Sequence, residues 1–369
     1  MKTVGVIGGG QLARMMIPAA INLGLEIQVF AETEGEPASR AVTQVGDYRS
    51  VSEVSAFAQH VDVVTFDHEH VPTEVLEKIQ SGGVAVCPSP RALSLTHNKI
   101  VMRESLAELG VPQPRWSVAE EKESYRDALA IVGGFPCVAK KPVGGYDGKG
   151  VRVITSWEEI EDWLAEGPVL LEENVPFLRE LALLSARRVG GEWVPWLPVE
   201  TRQVDGVCSE VIAPAPGLPP EVSQKAHELS KRIAEGIGIV GVLAVEVFQL
   251  SNGSLLVNEL AMRPHNSGHV FTELAVTSQF EQHLRAVADV PLGSTAFTSP
   301  VGVMVNLFGS IDSRSREEAW SAVPEAKIHD YGKSPREGRK VGHLVVVGES
   351  LDRALSRAEV ARSAIVSSR

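Results

Sequence analysis

The sequence has few cysteines and no long apolar run, and each shortage excludes a class of protein. Cys87, Cys137 and Cys208 are the only cysteines among 369 residues. Because an odd number of widely spaced cysteines does not make a disulfide framework, we expect buried thiols in a reducing compartment. No apolar stretch approaches the roughly 20 residues that a membrane helix needs. We therefore expect a cytoplasmic protein with no membrane partner.

Positive charge is also scarce. The 35 Lys and Arg residues face 47 Asp and Glu residues, which gives a formal net charge of −12. Nucleic-acid-binding surfaces are basic, so we expect no nucleic-acid partner. A phosphate ligand remains possible, because helix N-termini and a few focused basic groups bind phosphate locally. The length predicts two or three structural units.

Strands and helices alternate over about residues 1–95. Residues 4–7 predict a strand and not a charged leader with a long apolar core, so we expect no signal peptide. A helix is expected from Gln11 to about Leu23, and another over 51–59. Further strands are expected at 27–30, 61–66 and 84–87. This order predicts a doubly wound parallel sheet, an α/β domain.

Beyond the helix predicted at 98–109 and the extended segment 111–114, the pattern changes to that of α+β units. The first such unit has predicted strands at 135–139, 151–155 and 169–172, with a helix at 157–164. A larger β-rich segment follows, with strands at 181–186, 193–197, 207–212, 243–250 and 254–259 and helices at 221–236 and 280–290. Residues 300–369 form a short appended unit with a strand at 341–347.

The first glycine cluster, Gly8 to Gly10, continues as Gln11-Leu12-Ala13 and fits the pattern G-x-G-x-x-A. It follows a strand and opens a helix, and Glu32 ends the next strand, where an acid that binds a ribose would sit. An NAD-dependent oxidoreductase is therefore one interpretation. Backbone N–H groups at a helix N-terminus bind any phosphate, so a nucleotide monophosphate fits equally well. A tight turn without a ligand is the third possibility.

The second glycine cluster spans residues 144–150 and reads Gly-Gly-Tyr-Asp-Gly-Lys-Gly. A Walker loop would need Ser or Thr in place of Gly150, and it would join a strand to a helix. Here the loop joins strand to strand. This setting favours a β-hairpin lid whose glycines approach phosphate oxygens, with Lys140 and Lys141 supplying positive charge. A flexible surface hairpin with solvated lysines is the alternative.

Two acids lie inside adjacent apolar strands, Glu246 in one and Glu259 in the next. A carboxylate is costly to bury without a partner. Together with Asn258, the two acids make an all-oxygen set that suits Mg²⁺ bound jointly with nucleotide phosphates. Two outward-facing acids on a half-exposed hairpin would also explain the pattern.

Two further segments are dense in polar residues. The string Arg-Pro-His-Asn-Ser-Gly-His at 263–269 follows the acid strand directly, which favours an active-site loop. His265 and His269 could form a zinc pair, but the sequence shows no third ligand nearby. Residues 333–340 hold four basic residues and Glu337, and they could bind a substrate phosphate or lie solvated.

Together, these motifs resemble the ATP-grasp superfamily and, within it, the N5-carboxyaminoimidazole ribonucleotide synthases of purine biosynthesis. The resemblance runs nearly end to end. It is carried by five segments: 8–15, 66–70, 144–150, 258–269 and 338–343.

The resemblance implies an ATP-dependent ligase that joins 5-aminoimidazole ribonucleotide to bicarbonate through carboxyphosphate and releases ADP and phosphate. It implies ATP and Mg²⁺ as cofactors and a homodimer. It assigns the first glycine loop to the substrate's ribose phosphate and not to NAD. The implied ATP-grasp architecture has a Rossmann-like domain at 1–97, a linker helix and lid at 98–176, the core at 177–295 and an appended unit at 296–369.

The resemblance also implies site residues, position by position. Arg263, His265 and Lys140 are the expected catalytic residues, and Glu246 and Glu259 the expected magnesium ligands. Expected ATP contacts, from the phosphates through the adenine hinge to the ribose, are Lys99, Lys140, Gly145, Tyr146, Asp147, Gly148, Lys149, Gly150, Glu172, Glu173, Asn174, Val175, Glu180, Asn258 and Glu259. Expected contacts of the ribonucleotide and bicarbonate are Gly10, Gln11, Leu12, Glu69, Tyr146, Asp147, Arg263, His265, Asn266, Lys333, Arg336 and Arg339.

Two positions depart from the family pattern. Asp67 stands where glutamate is commoner, and Gln203 falls near a position that is often histidine, so neither is assigned to the site. Related ATP-grasp enzymes remain alternatives, namely a formate-dependent glycinamide ribonucleotide transformylase or a biotin-dependent carboxylase subunit. The oxidoreductase is a remote alternative that leaves the lid and the acid pair unexplained.

Overall fold

The N-terminal domain is a five-stranded parallel sheet with helices on both faces. The computed structural model describes residues 1–120, 124–145 and 150–367. In chain order the first elements are β1 (Thr3–Ile7), α1 (Gln11–Leu23), β2 (Glu26–Ala31), β3 (Val42–Val45), α2 (Val51–Ala58), β4 (Val63–Phe66), α3 (Thr73–Ser81), β5 (Ala85–Val86) and α4 (Pro90–His97). The strand order is β3-β2-β1-β4-β5, and every pair is parallel. The predicted doubly wound sheet is confirmed.

The turn from β1 to α1 places a helix N-terminus at the carboxyl edge of this sheet. Gly8 has φ of +100°, a conformation that residues with a Cβ rarely adopt. Its N–H donates to the carbonyl of Phe30 at 2.8 Å, which holds the turn against β2. Parallel strands present their carboxyl ends together, so the segment that follows β4 lies beside this turn.

A small antiparallel sheet forms the second unit. Its elements are α5 (Lys99–Glu108), β6 (Trp116–Ala119), α6 (Tyr125–Val132), β7 (Cys137–Lys140), β8 (Val151–Ile154), α7 (Glu161–Glu166) and β9 (Val169–Glu173), in the strand order β6-β9-β7-β8. Asn98 caps α5 by accepting the N–H of Ile100 at 2.9 Å. A 3₁₀ turn, Trp157–Ile160, precedes α7. The second glycine loop joins β7 to β8, as the strand–loop–strand interpretation predicts.

The third unit is a large antiparallel sheet. Its elements are β10 (Arg179–Arg187), β11 (Trp193–Pro195), β12 (Val199–Val204), β13 (Val207–Ala213), α8 (Pro220–Ile237), β14 (Gly241–Gln249), β15 (Leu255–Ala261), α9 (Phe271–Leu274), α10 (Gln279–Val287), β16 (Val301–Gly309), α11 (Ser313–Ala322), β17 (Lys327–Asp330), β18 (Arg336–Gly348) and α12 (Leu351–Ser367). The strand order is β15-β14-β10-β12-β13-β16-β18-β17, with β11 paired to β10.

The sheet crosses the predicted boundary between residues 295 and 296. Strand β16 pairs with β13, and β18 pairs with β16, so the appended segment extends the core sheet. The strand predicted at 341–347 is longer than expected, because β18 runs from Arg336 to Gly348. Strands β12, β16 and β17 of this sheet lie outside the predicted set.

Helix α10 packs where the N-terminal domain meets the large sheet. Its buried residues Phe280, Leu284 and Val287 share one apolar cluster with Met16 and Ala20 of α1. Within the described part of the chain, no helix is long and apolar enough to cross a membrane. Cys87 and Cys137 are buried free thiols, and Cys208 is half-buried.

Candidate active site

Strand β7 points Lys140 into the cleft between the small and the large sheet. Its Nζ lies 2.8 Å from Oε2 of Glu172 and donates to Oδ1 of Asn258 at 3.0 Å. Successive side chains of a strand point to opposite faces. Lys141 therefore points away, where its Nζ lies 2.5 Å from Oε2 of Glu166. The prediction that Lys141 faces the phosphates is wrong.

Arg103 is the centre of this arrangement, and the sequence analysis missed it. Its guanidinium is fully buried and donates to Oε1 of Glu172 at 2.8 Å. It also donates to the backbone carbonyls of Val257 and Asn258, each at 2.8 Å. One side chain on α5 thus ties β9 to β15. The sequence did offer one signal for Arg103, namely a charged residue at a helix position whose neighbours are buried.

Glu172 is held ionised by its two cationic neighbours. Burial alone would raise the pKa of this carboxyl, but the charges of Lys140 and Arg103 outweigh burial and lower the pKa to about 2. The side chain is 3% exposed, and both oxygens have partners. Its side chain therefore positions Lys140, and the predicted hinge contact of Glu172 with adenine would be made by its backbone.

The two predicted magnesium ligands face each other across neighbouring strands. Glu246 on β14 and Glu259 on β15 are register partners. Burial, together with the charges of Glu259 and Glu180, raises the pKa of Glu246 to about 8, although Lys99 and Lys140 oppose the change. Nζ of Lys99 also contacts Oε1 of Glu259. Two closely spaced carboxylates of this kind are able to bind a divalent cation together with phosphates.

The loop at 263–269 brings His265 to this carboxylate pair. Its Nε2 lies 3.4 Å from Oε1 of Glu246, and its Nδ1 lies 2.8 Å from Oγ of Ser267. The backbone N–H of Ser267 also points at Nδ1, at 3.4 Å. An N–H can only donate, so Nδ1 accepts, and the neutral ring carries its proton on Nε2. That proton faces Oε1 of Glu246.

His269 is a core residue. It is 1% exposed and stacks on His343, with ring centroids 4.6 Å apart. Gln279 contacts its Nδ1 at 2.9 Å. Among the described residues, no three His, Cys, Asp or Glu side chains are grouped to hold a metal. The zinc-pair interpretation of His265 and His269 therefore has no support.

The other half of the cleft is built from the first glycine loop. Asp67 follows β4 and accepts the backbone N–H of Ala13 at 2.8 Å, so it lies over the N-terminus of α1. Burial raises the pKa of Asp67, while the Ala13 N–H and the nearby charges of Arg263 and Lys333 oppose this. A Cβ on Gly10 would lie 2.0 Å from Oδ2 of Asp67. The structure thus places Asp67, which was left out of the predicted site, directly against the first glycine loop.

Glu69 connects this half-site to the loop that follows β15. Its Oε1 accepts the N–H of Met262 at 3.1 Å and lies 3.7 Å from Nε of Arg263. Its carbonyl contacts Nε2 of His97. Glu69 and Arg263, predicted separately, therefore lie together. Leu12 is different, because its side chain is buried in the N-terminal core, so only its backbone can face a ligand.

The predicted adenine hinge is the turn between β9 and β10. Glu173 accepts from Nε of Arg115 at 2.8 Å, Asn174 is exposed and Val175 is buried. Glu180, the second residue of β10, accepts from Nε2 of Gln203 at 3.0 Å. Gln203 was omitted from the predicted site, yet it holds the carboxylate that we expect at the ribose.

The remaining predicted residues are described by their surroundings in the structure. Asn266 exchanges two amide hydrogen bonds with Asn306, at 2.9 and 2.8 Å, which commits its amide to β16. Lys333 lies 5.5 Å from the ring centroid of Tyr331, and Arg339 donates to the carbonyl of Ser334 at 3.3 Å. Gln11 is half-buried at the first turn of α1, and Arg336 is exposed at the start of β18.

The lid predictions concern residues 144–150. Lys141 N–H donates to the Gly150 carbonyl at 2.9 Å, which closes the base of the loop beside Gly145. The predicted contacts of Tyr146, Asp147, Gly148 and Lys149 lie outside the described residues.

A parallel-sheet domain, a small antiparallel lid and a large sheet with paired acids around one cleft define an ATP-grasp ligase. Three family models match the chain. They are the ribonucleotide synthetase preATP-grasp domain over residues 1–97, the ATP-grasp domain over 104–280 and the phosphoribosylaminoimidazole carboxylase C-terminal domain over 302–357.

Curated relatives agree with these models. An N5-carboxyaminoimidazole ribonucleotide synthase from Mycobacterium bovis is 45% identical over 97% of this chain and 86% of its own. One from Corynebacterium ammoniagenes is 42% identical over 99% of this chain and 92% of its own. A solved structure of the Aspergillus clavatus enzyme, in complex with ADP and 5-aminoimidazole ribonucleotide, has a TM-score of 0.88 at 29% identity and covers 99% of both chains.

The chain belongs to the N5-carboxyaminoimidazole ribonucleotide synthase family. The oxidoreductase interpretation of the first glycine loop is therefore wrong, since this is a family of ATP-dependent ligases.

The buried network predicts unequal effects for the same substitution at adjacent positions. Glu172→Gln would leave Arg103 and Lys140 without a counter-charge, so it should lower the free energy of unfolding by about 3 kcal/mol. Glu173→Gln is the matched control. It breaks only the mostly exposed pair with Arg115 and should cost about 0–1 kcal/mol. Urea denaturation measures both, and equal losses would contradict the central role of Glu172.

Proposed function

We propose that this protein carboxylates 5-aminoimidazole ribonucleotide with bicarbonate and ATP, giving N5-carboxyaminoimidazole ribonucleotide, ADP and phosphate in de novo purine (IMP) biosynthesis. One observation carries the proposal. The pair Glu69 and Arg263 joins the glycine-loop half-site to the loop that brings His265 to Glu246. A phosphorylated substrate on one side and a nucleotide on the other would meet at this junction.

The chain's residues fit a divalent cation. Glu246 and Glu259 face each other, and the pKa of Glu246 is raised to about 8 by burial and by its acidic neighbours in spite of the nearby charges of Lys99 and Lys140. All-oxygen sets of this kind suit Mg²⁺, which is usually bound by one or two carboxylates together with substrate phosphates. Glu246 and Glu259 would hold it. When bound, it would neutralise charge on the nucleotide phosphates.

Lys140 and Lys99 serve the phosphate side of the reaction. Both Nζ atoms lie within the cleft beside Asn258 and Glu259 respectively. Bicarbonate carbon is a poor electrophile, so activation as carboxyphosphate is the chemical route that ATP makes available. Transfer of a phosphoryl group depends on positioning and on charge stabilisation. Arg103 and Glu172 hold Lys140 in place for this task.

Arg263 and His265 are the groups that we assign to the carboxyphosphate. Arg263 lies next to Glu69, and His265 carries its proton on the nitrogen that faces Glu246. Carboxyphosphate is unstable in water, so the lid must exclude water while the amine attacks. We assign Tyr146 and Asp147 to that lid surface. Correct placement of the amine can contribute about 7–11 kcal/mol.

The ribonucleotide phosphate is assigned to the N-terminus of α1. Gly10 and Gln11 begin this helix, whose N–H groups favour an anion. Lys333 and Arg339 would add positive charge from the other side of the cleft. Asp67 already accepts one of these N–H groups, so it would share the helix N-terminus with the phosphate.

We also propose a homodimer that acts in the cytoplasm with ATP, as the family resemblance suggests. Light scattering coupled to size exclusion measures the mass in solution. A mass equal to one 39.7 kDa chain at micromolar concentration would reject the dimer.

The function is tested by product formation. With ATP, bicarbonate and 5-aminoimidazole ribonucleotide, we expect ADP release and a carboxylated ribonucleotide in equal amounts. Parallel reactions replace these substrates with formate and glycinamide ribonucleotide, and a separate titration measures NADH binding. The proposal is rejected if ADP release depends on neither bicarbonate nor the aminoimidazole ribonucleotide.

Glu259→Gln removes one proposed magnesium ligand and keeps the shape of the side chain. We expect ATP turnover to fall by about 10²-fold or more, a loss typical of removing one electrostatic contact to the transition state. Glu210→Gln on β13 is the control, since Glu210 pairs with Arg202 outside the cleft. Thermal unfolding should show that both variants remain folded. Near-normal ADP release by Glu259→Gln would reject the assignment.

The raised pKa of Glu246 predicts that magnesium binding depends on pH. A carboxyl with a pKa of about 8 is mostly protonated at neutral pH and must lose its proton to bind a cation. With ADP present, Mg²⁺ affinity should therefore increase as pH rises to about 8, by up to about tenfold per pH unit. Calorimetric titration at two pH values measures this. Glu246→Gln should remove this pH dependence. The prediction is contradicted if the Mg²⁺ affinity of the unmodified protein does not change with pH.

A further inference from the structure

Helix α10 lies between the two halves of the cleft. Phe280 and Leu284 pack against α1 of the N-terminal domain in one apolar cluster. Two polar residues of α10 next to this apolar side, Gln279 and His283, are also fully buried. A buried polar side chain needs hydrogen-bond partners, and those of α10 belong to both domains.

His283 connects a strand of each domain. Its Nδ1 accepts the backbone N–H of Val242 at 3.1 Å, and its Nε2 lies 2.7 Å from Oγ1 of Thr65. The N–H of Val242 can only donate, so the proton of the neutral ring is on Nε2, which donates to Thr65. Burial lowers the pKa of His283 to about 3, which keeps the ring neutral. A Cβ on Gly241 would lie 2.9 Å from the ring, and Gly241 has φ of +122°, so glycine is required there.

The two connected strands are those that carry the two half-sites. Thr65 lies on β4, two residues before Asp67 at the first glycine loop. Val242 lies on β14, four residues before Glu246. The bridge through His283 therefore fixes the distance between the proposed phosphate loop and the proposed metal ligand.

Gln279 makes a second connection from the same helix. Its Oε1 accepts the N–H of His265 at 2.8 Å, and its Nε2 donates to the carbonyl of His265 at 2.8 Å. The amide thus holds both backbone groups of His265, as a neighbouring strand would. A Cβ on Gly268 would lie 2.2 Å from Oε1 of Gln279, so the loop packs directly on this amide.

We propose that α10 sets the register between the ribonucleotide half-site and the carboxyphosphate half-site, with His283 and Gln279 as positioning residues. This inference rests on the proposed function. Carboxyphosphate formed at one half-site has two fates, namely attack by the amine held at the other or attack by water. In the first, the amine nitrogen forms a bond to the carboxyl carbon as the C–O bond to phosphate breaks, and the departing phosphate takes up the proton that the amine loses. Loss of register therefore raises the share of ADP that is released without carboxylated product.

Thr65→Val tests the bridge with little change of shape. Valine suits a strand and removes only the hydroxyl, so the link between Thr65 and His283 is lost. We expect the yield of carboxylated ribonucleotide per ADP to fall about tenfold or more, since a misplacement of about 1 Å can cost about 10²-fold in rate. Thr65→Ser keeps the hydroxyl and should retain a yield near that of the unmodified protein. Bicarbonate-dependent ADP release should change little in either variant.

Two further variants distinguish a loss of register between the half-sites from a general loss of stability. Leu284→Ala removes packing in α10 and leaves both hydrogen bonds of His283. Its yield of carboxylated ribonucleotide per ADP should stay near normal, even if its midpoint of thermal unfolding falls further than that of Thr65→Val. His283→Asn, which keeps an acceptor for Val242 but cannot reach Thr65, is the second test and should reproduce the low yield.

The outcomes are distinguishable. A normal yield per ADP in Thr65→Val and His283→Asn overturns the inference, and so does an equal loss in Leu284→Ala. Failure of the unmodified protein to make any carboxylated ribonucleotide would instead reject the proposed function.

Discussion

The charge of Glu172 determines how the cleft is assembled. This carboxylate lies between Arg103 and Lys140, and both cations depend on it because all three are buried or nearly so. Arg103 uses its remaining donors on the backbone of β15, the strand that carries Asn258 and Glu259. Charges removed from water are costly unless they are mutually satisfied. Lys140 and strand β15 are thus parts of one electrostatic unit.

The cleft also depends on how the three structural units are held against one another. The glycine loop belongs to a parallel sheet, the lid lysine to a small antiparallel sheet and the acid pair to a large one. Two apolar clusters cross the boundaries between these units, one joining α10 to α1 and one joining α4 and α5 to the large sheet. Buried polar contacts at the junctions add directional contacts to this packing. Glu69 with Arg263, and His283 with Thr65, are such contacts.

Features that depend on local pattern could be predicted from the sequence. Acids inside apolar strands identified Glu246 and Glu259, and glycines between two β-rich runs identified the lid. Arg103, Gln279 and His283 could not be found this way, because their partners are distant in the chain. Arg103 meets Glu172 across 69 residues, and His283 meets Thr65 across 218. Lys141 was misassigned because the alternation of side chains along β7 was not applied to neighbouring lysines.

The continuation of the large sheet through β16 has a further consequence. Strand β16 pairs with β13 from Glu210 to Ala213. Without β16, this edge of β13 would be unpaired. An uncovered edge offers unpaired N–H and carbonyl groups to any passing strand, including that of another copy. The residues from Val301 onward therefore move the edge of the sheet from β13 to the four-residue strand β17. A shortened chain that ended before Val301 would keep Glu246 and Glu259 but would leave the seven-residue strand β13 as the edge.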